Sequence, residues 1–233
     1  MPELKVCGVT DAAFACAAAR RGVDYLGFIF AEGSPRRITP AKAQETRCAV
    51  ERTSTTKAIR PRFVGVFVEQ TVGEIAEIAR SVPLDVIQLH GDYGADKVAT
   101  LKSKGYEVWR LHRPDGGGLG TSRPTAGTTG VSPVGAGEDA VLLDGRRGAE
   151  SRRADWSLVA GLKRAGRRVV LAGGISAGNI VAAIATGADI IDINSSIETA
   201  PGVKSVEKLD MLLCQLVKPC GDGIPASCKP TSP

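Results

Sequence analysis

The chain has 233 residues, 43% of them hydrophobic, 24% charged and 4% aromatic, which excludes a wholly disordered polymer and suffices for a core without disulfides or metals. Thirty Lys and Arg against 25 Asp and Glu leave a scattered formal charge of +5, with neither the basic stripe nor the stacking aromatics of a nucleic-acid binder. No apolar run reaches the roughly 18 residues of a spanning helix, which argues against a membrane protein.

The chain opens almost at once on the strand-like run Leu4-Lys5-Val6-Cys7-Gly8-Val9. That leaves no room for a secretory leader, so the expected compartment is the cytoplasm. Further β-rich runs follow at 24–30, 62–68, 86–91, 106–112, 139–145, 168–174 and 190–196. Helix-period segments lie between most of them, at 11–22, 40–54, 71–82, 94–105, 156–166 and 176–187, with a last one at 205–217. Thr39-Pro40 suits an N-cap with proline at the first helical position, and Thr71-Val72-Gly73-Glu74 reads as a capping box. Gly22, Gly105 and Gly187 fall where helices should stop.

Strands alternating with helices imply parallel pairing. Eight of them in a chain this short fit a single closed (β/α)8 TIM barrel better than the runner-up, an open doubly wound sheet. The barrel is expected over 1–218, with 219–233 as a loose tail. Residues 113–138, rich in Gly, Pro, Ser and Thr, stand where the helix after the fifth strand belongs and read as a loop. Six cysteines (7, 16, 48, 214, 220 and 228) form no CxxC pair, and His90 and His112 are the only histidines. A structural zinc site is therefore not expected, and a mostly reduced set is.

In a barrel, chemistry belongs at the C-terminal ends of the strands, and strand residues two apart share a face. That parity pairs Lys5 with Cys7, Gln88 with His90, Arg110 with His112 and Asp192 with Asn194, while Asp144 ends the run Val141-Leu142-Leu143-Asp144. Any one of these reads more simply as a rim residue bonded to a loop, but five strands agreeing carries more weight. Cys7 by itself is more often a small buried hydrophobe, and an ammonium from Lys5 would pull its thiol below the ordinary value of about 8.5. Leu171-Ala172-Gly173-Gly174 after strand seven and Asn194-Ser195-Ser196 after strand eight offer the amides and hydroxyls of a barrel phosphate site. Ser34-Pro35-Arg36-Arg37 is either a solvated basic loop or a place where arginine grips a carboxylate.

Taken in order, these residues resemble the phosphoribosylanthranilate isomerase family of tryptophan biosynthesis. Lys5-Val6-Cys7-Gly8-Val9-Thr10, Gly27-Phe28-Ile29-Phe30 with Ser34-Pro35-Arg36, and Ile87-Gln88-Leu89-His90-Gly91 look like its motifs. So do Leu142-Leu143-Asp144, Asp155-Trp156, Leu171-Ala172-Gly173-Gly174 with Asn179, and Asp192 through Glu198 followed by Pro201-Gly202-Val203-Lys204. The match runs from residue 4 to about 216, broken at 113–138. The family's G-G-T-G loop run is replaced by Gly148-Ala149-Glu150-Ser151, and its S-S-G by Asn194-Ser195-Ser196.

The resemblance implies an Amadori rearrangement of N-(5-phosphoribosyl)anthranilate to 1-(2-carboxyphenylamino)-1-deoxyribulose 5-phosphate, with no cofactor and no metal. Carried over by residue, Cys7 is the general base and Asp144 the general acid. Lys5, Arg36, His90 and Asp192 bind substrate, with Arg36 on the anthranilate carboxylate. Gly173, Gly174, Ser195 and Ser196 hold the phosphate. The partner is thus a phosphorylated small molecule, and the chain itself a monomer or a homodimer. A histidine-pathway isomerase would want an aspartate where Cys7 stands; a barrel that binds the phosphoribosyl ligand but turns it over poorly is the competing reading from another class.

Overall fold

The computed structural model describes residues 1–53, 60–112, 137–145 and 155–216. Eight short runs form strands, all but β5 buried along most of their length: β1 (Glu3–Cys7), β2 (Tyr25–Ile29), β3 (Arg62–Phe67), β4 (Val86–Leu89), β5 (Glu107–Leu111), β6 (Ala140–Leu143), β7 (Val169–Leu171) and β8 (Ile190–Ile193). They pair in parallel in sequence order, and β1 closes on β8. The closed barrel, not the open sheet, is what this chain builds.

Seven helices surround it among the described residues: α1 (Ala12–Arg20), α2 (Pro40–Thr53), α3 (Val72–Ser81), α4 (Ala95–Ser103), α5 (Ser157–Arg164), α6 (Ile180–Ala185) and α7 (Val206–Cys214). The caps are those the sequence predicts. The Thr71 hydroxyl accepts from the Glu74 amide, and the Glu74 carboxylate accepts from the Thr71 amide at 2.7 Å. The Lys42 amide donates to the Thr39 hydroxyl ahead of α2. Gly22, Gly105 and Gly187 follow α1, α4 and α6 with positive φ.

Two apolar zones result. One lies between barrel and helices and holds Val6, Leu26, Phe28, Phe63, Ile75 and Leu101, all buried. The other fills the barrel interior with Tyr25, Val64, Val86, Trp109, Leu142, Val170 and Ile190. Beneath it, at the N-terminal ends of the strands, Arg168 donates to Glu3 at 2.5 Å, to the Tyr25 hydroxyl at 2.9 Å and to Glu107 at 3.0 Å. Glu107 also accepts from the Trp109 indole at 2.7 Å. This ionic plug seals one end of the barrel and leaves the other for chemistry.

The structure corrects the parity expected of β5. Trp109 and Leu111 face the barrel interior. Arg110 and His112 therefore face outward, and Arg110 meets Glu138 and the Tyr93 carbonyl. An unforeseen antiparallel hairpin, β9 (Glu198–Ala200) with β10 (Val203–Lys204), follows a short 3₁₀ turn at Ser195–Ile197. Cys7, Cys16 and Cys48 are free thiols, whereas Cys214 is disulfide-bonded. The expected loop at 113–138, the altered stretch around 148–151 and the tail at 219–233 lie outside the described residues, apart from Gly137 and Glu138.

Candidate active site

Because strand side chains alternate, the residue that ends each inward-facing set projects from the barrel interior into its C-terminal mouth. There β1 delivers Cys7, β4 delivers Gln88 and His90, β6 leads to Asp144, and β8 delivers Asp192 and then Asn194. Together they line a cavity of about 390 Å³, in the range of small-molecule sites. Ile29, Ala31, Val66, Val68 and Ala172 give it an apolar wall, and Gly173, Gly174 and Ser195 edge it. The same period-two reading, extended along β2 and β3, would have found Ile29, Ala31, Val66 and Val68.

His90 Nε2 lies 3.3 Å from Asp144 Oδ2, so the imidazole and the carboxyl form one unit at the rim. Deeper, Lys5 Nζ donates to Asp192 Oδ2 at 2.6 Å. The β1–β8 register places these two residues directly opposite each other. Lys5 is fully buried and lies below the cavity, whereas Asp192 lines it. Burial alone would push the Lys5 ammonium down, but Asp192, with Cys7, outweighs it and holds the group above its ordinary value. Two acceptors on the floor, Asp192 Oδ1 and Gln88 Oε1, are buried without a hydrogen-bond partner among the described residues. Such atoms are costly unless an incoming donor meets them.

Burial pushes the Cys7 thiol up. The Lys5 and Lys204 ammonium groups oppose that shift without reversing it, so the lowered thiol expected from Lys5 is not what results.

At the cavity edge, Gly173 and Gly174 both have positive φ, at 86° and 68°. Their amides donate to no group among the described residues. Asn179 fixes the loop that follows: its Oδ1 accepts from the Ser176 amide at 2.8 Å and its Nδ2 donates to the Gly174 carbonyl at 2.9 Å. Ser195 borders the cavity; Ser196 does not, and its buried hydroxyl has no partner among the described residues. Arg36 lies beside the site, with its Cδ 2.9 Å from where a Cβ on Gly8 would stand. Its guanidinium is held by Glu198, a contact the sequence did not reveal. Among the described residues, no group of three or more His, Cys, Asp or Glu could hold a metal ion, and no helix is long and apolar enough to cross a membrane.

A thiol and a carboxyl facing one small cavity, with the Gly173 and Gly174 amides at its edge, are the equipment of a (β/α)8-barrel enzyme that moves protons on a small molecule. Residues 4–215 match the family model described as N-(5'-phosphoribosyl)anthranilate (PRA) isomerase. The enzyme of that name from Rhodospirillum centenum is 33% identical over 215 residues, covering 87% of this chain and 92% of that protein. The crystal structure of phosphoribosyl anthranilate isomerase from Thermus thermophilus superposes with a TM-score of 0.73 at 32% identity, over 92% of this chain and 98% of that one. A phosphoribosyl anthranilate isomerase solved in complex with reduced 1-(o-carboxyphenylamino)-1-deoxyribulose 5-phosphate shares the fold, with a TM-score of 0.70 at 24% identity over 92% of this chain and 98% of that one. This chain belongs to the N-(5'-phosphoribosyl)anthranilate isomerase family.

Proposed function

We propose that the chain carries out the Amadori rearrangement of N-(5-phosphoribosyl)anthranilate to 1-(2-carboxyphenylamino)-1-deoxyribulose 5-phosphate, as a cytoplasmic step of tryptophan biosynthesis, with Asp144 as general acid and Cys7 as general base. The observation that supports it most is that these two groups, from strands β6 and β1, line the same cavity. Asp144 gives its proton to the furanose ring oxygen as the C1′–O bond breaks. The anthranilate nitrogen lone pair moves in to form the C1′=N iminium, so the push for ring opening comes from the substrate itself. Cys7, as thiolate, then takes the C2′ proton. The C–H electrons form the C1′=C2′ bond and neutralise the iminium nitrogen, and the resulting enolamine tautomerises to the ketose.

Burial holds the thiol up, and it has to be ionised to act as a base. Lys5 and Lys204 favour that ionisation, and the iminium cation adds to them once the ring has opened. His90 and Asp192 are the substrate contacts, and the unpartnered acceptors of Asp192 and Gln88 suit sugar hydroxyls. Gly173, Gly174 and Ser195, which line the cavity edge, take the phosphate, with Ser196 behind them. Arg36 takes the anthranilate carboxylate.

Steady-state turnover, followed by the fluorescence change from substrate to product, tests the assignment. Cys7→Ala and Asp144→Asn should each lower kcat by roughly 10²-fold or more, typical of a lost acid or base. The profile of kcat/KM should rise with pH as the thiol ionises, and Cys7→Ser should displace that limb. If Cys7→Ala turns over near-normally while Asp144→Asn is inactive, the cysteine is a packing residue and another group takes the proton.

A further inference from the structure

Just outside the cavity, Glu198 gathers four hydrogen bonds on one carboxylate. Its Oε1 accepts from Arg36 Nε at 2.8 Å, from Lys204 Nζ at 2.8 Å and from the Gly202 amide at 3.3 Å. Its Oε2 accepts from Arg36 Nη2 at 2.6 Å. Lys204 Nζ also donates to the Asn194 side chain at 2.7 Å and to its carbonyl at 3.0 Å, and Asn194 lines the cavity. Glu198 and Lys204 are almost wholly enclosed, with side chains 5% and 1% exposed. Such a group is costly to bury unless every charge is met.

The backbone explains how it assembles. Glu198 and Lys204 are register partners in the β9–β10 hairpin. The turn of that hairpin presses on the loop after β2: a Cβ on Gly202 would stand 2.7 Å from the Pro35 carbonyl, and the Thr10 hydroxyl donates to the Gly202 carbonyl at 2.7 Å. Pro201-Gly202-Val203-Lys204 thus locks the end of the chain's last strand pair onto the loop that carries Arg36.

We propose that Glu198, braced by Lys204 and the Gly202 amide, is a positioning residue that aims Arg36 at the substrate carboxylate; this rests on the Arg36 role proposed above. A guanidinium offers five N–H donors in a rigid plane. Glu198 takes the side edge, Nε with Nη2. The end edge, Nη1 with the second hydrogen of Nη2, bonds to nothing among the described residues. That edge is a second fork, sized for a second carboxylate. Two cations on one anion leave the group one positive charge in excess beside the cavity, as an anionic ring substituent requires. Burial pushes the Glu198 carboxyl up, but Arg36 and Lys204 outweigh it and hold the group below its ordinary range, so the clamp stays ionised.

Calorimetric binding of two ligands tests this: the reduced product analogue, 1-(2-carboxyphenylamino)-1-deoxyribitol 5-phosphate, and its phenylamino counterpart without the carboxyl. Wild type should prefer the carboxylated ligand. Glu198→Gln should lose at least about tenfold of that preference while binding the decarboxylated ligand within about twofold of wild type. Arg36→Met should abolish the preference. A Glu198→Gln protein that keeps the preference, or weakens both ligands equally, overturns the positioning role while leaving that of Arg36 standing. Preference surviving in Arg36→Met overturns both. If Glu198→Gln does not fold, Glu198→Asp decides, since it keeps the charge but shortens the reach by one methylene; an unchanged preference there overturns the proposal.

Discussion

Replacing Gly173 by alanine should damage the active site itself, and a matched control shows why. Gly187 has φ +82° with no atom within 4 Å of where its Cβ would stand. Alanine there incurs only the left-handed backbone cost, about 1–2 kcal/mol. Gly173 has nearly the same φ, +86°, but its Cβ would lie 2.3 Å from the Gly145 nitrogen and 2.7 Å from Asp144 Oδ1. Ordinary contact needs about 3.5 Å, so β7 and the β6 end must part by on the order of 1 Å. Overpacking of that kind adds about 1–3 kcal/mol, for a total of about 2–5 kcal/mol. The displaced group is the proposed acid, and a misplacement of about 1 Å is enough to cost roughly 10²-fold in rate. Urea unfolding gives the stability difference between the two alanine variants, and turnover at saturating substrate gives the effect on kcat. Equal stability losses with unchanged kcat in both would refute the idea that Gly173 packs against Asp144 closely enough to fix it.

Lys5→Met should destabilise the fold by about 3–5 kcal/mol, because it leaves Asp192 buried and unpaired, with burial already pushing that carboxyl up. Lys5→Met with Asp192→Asn should recover part of the loss in urea unfolding, and equal instability of single and double variants would show that the pair is not what stabilises the barrel interior. Glu198 is held below its ordinary value of 4.5, so it contributes stability that is full above that value and is lost as pH falls through its lower folded value. Melting curves at descending pH should therefore drop more steeply below pH 4.5 in wild type than in Glu198→Gln, and parallel curves would count against an ionised clamp.

What the sequence determined by itself was whatever depends on neighbours along the chain. Period-two apolar runs set eight strands, Thr71 with Glu74 set a helix start, and the order of strands and helices set a closed barrel. Parity placed Cys7, His90 and Asp192 at one mouth because each ends an alternating strand. Parity failed on β5, where Glu107, Trp109 and Leu111 alternate with Val108, Arg110 and His112 and neither set is cleanly apolar. There the choice fell to tertiary partners: Trp109 fills the interior beside Tyr25 at 5.1 Å and bonds Glu107, while Arg110 finds Glu138 outside. The pairs that govern charge in the site lie further still from local reading. Lys5 meets Asp192 across 187 positions, and Arg36 meets Glu198 across 162. Only closure of β1 on β8 brings either pair within hydrogen-bond distance. The upward shift of the Cys7 thiol follows from the same closure, since desolvation by the whole barrel exceeds the pull of one lysine two residues away.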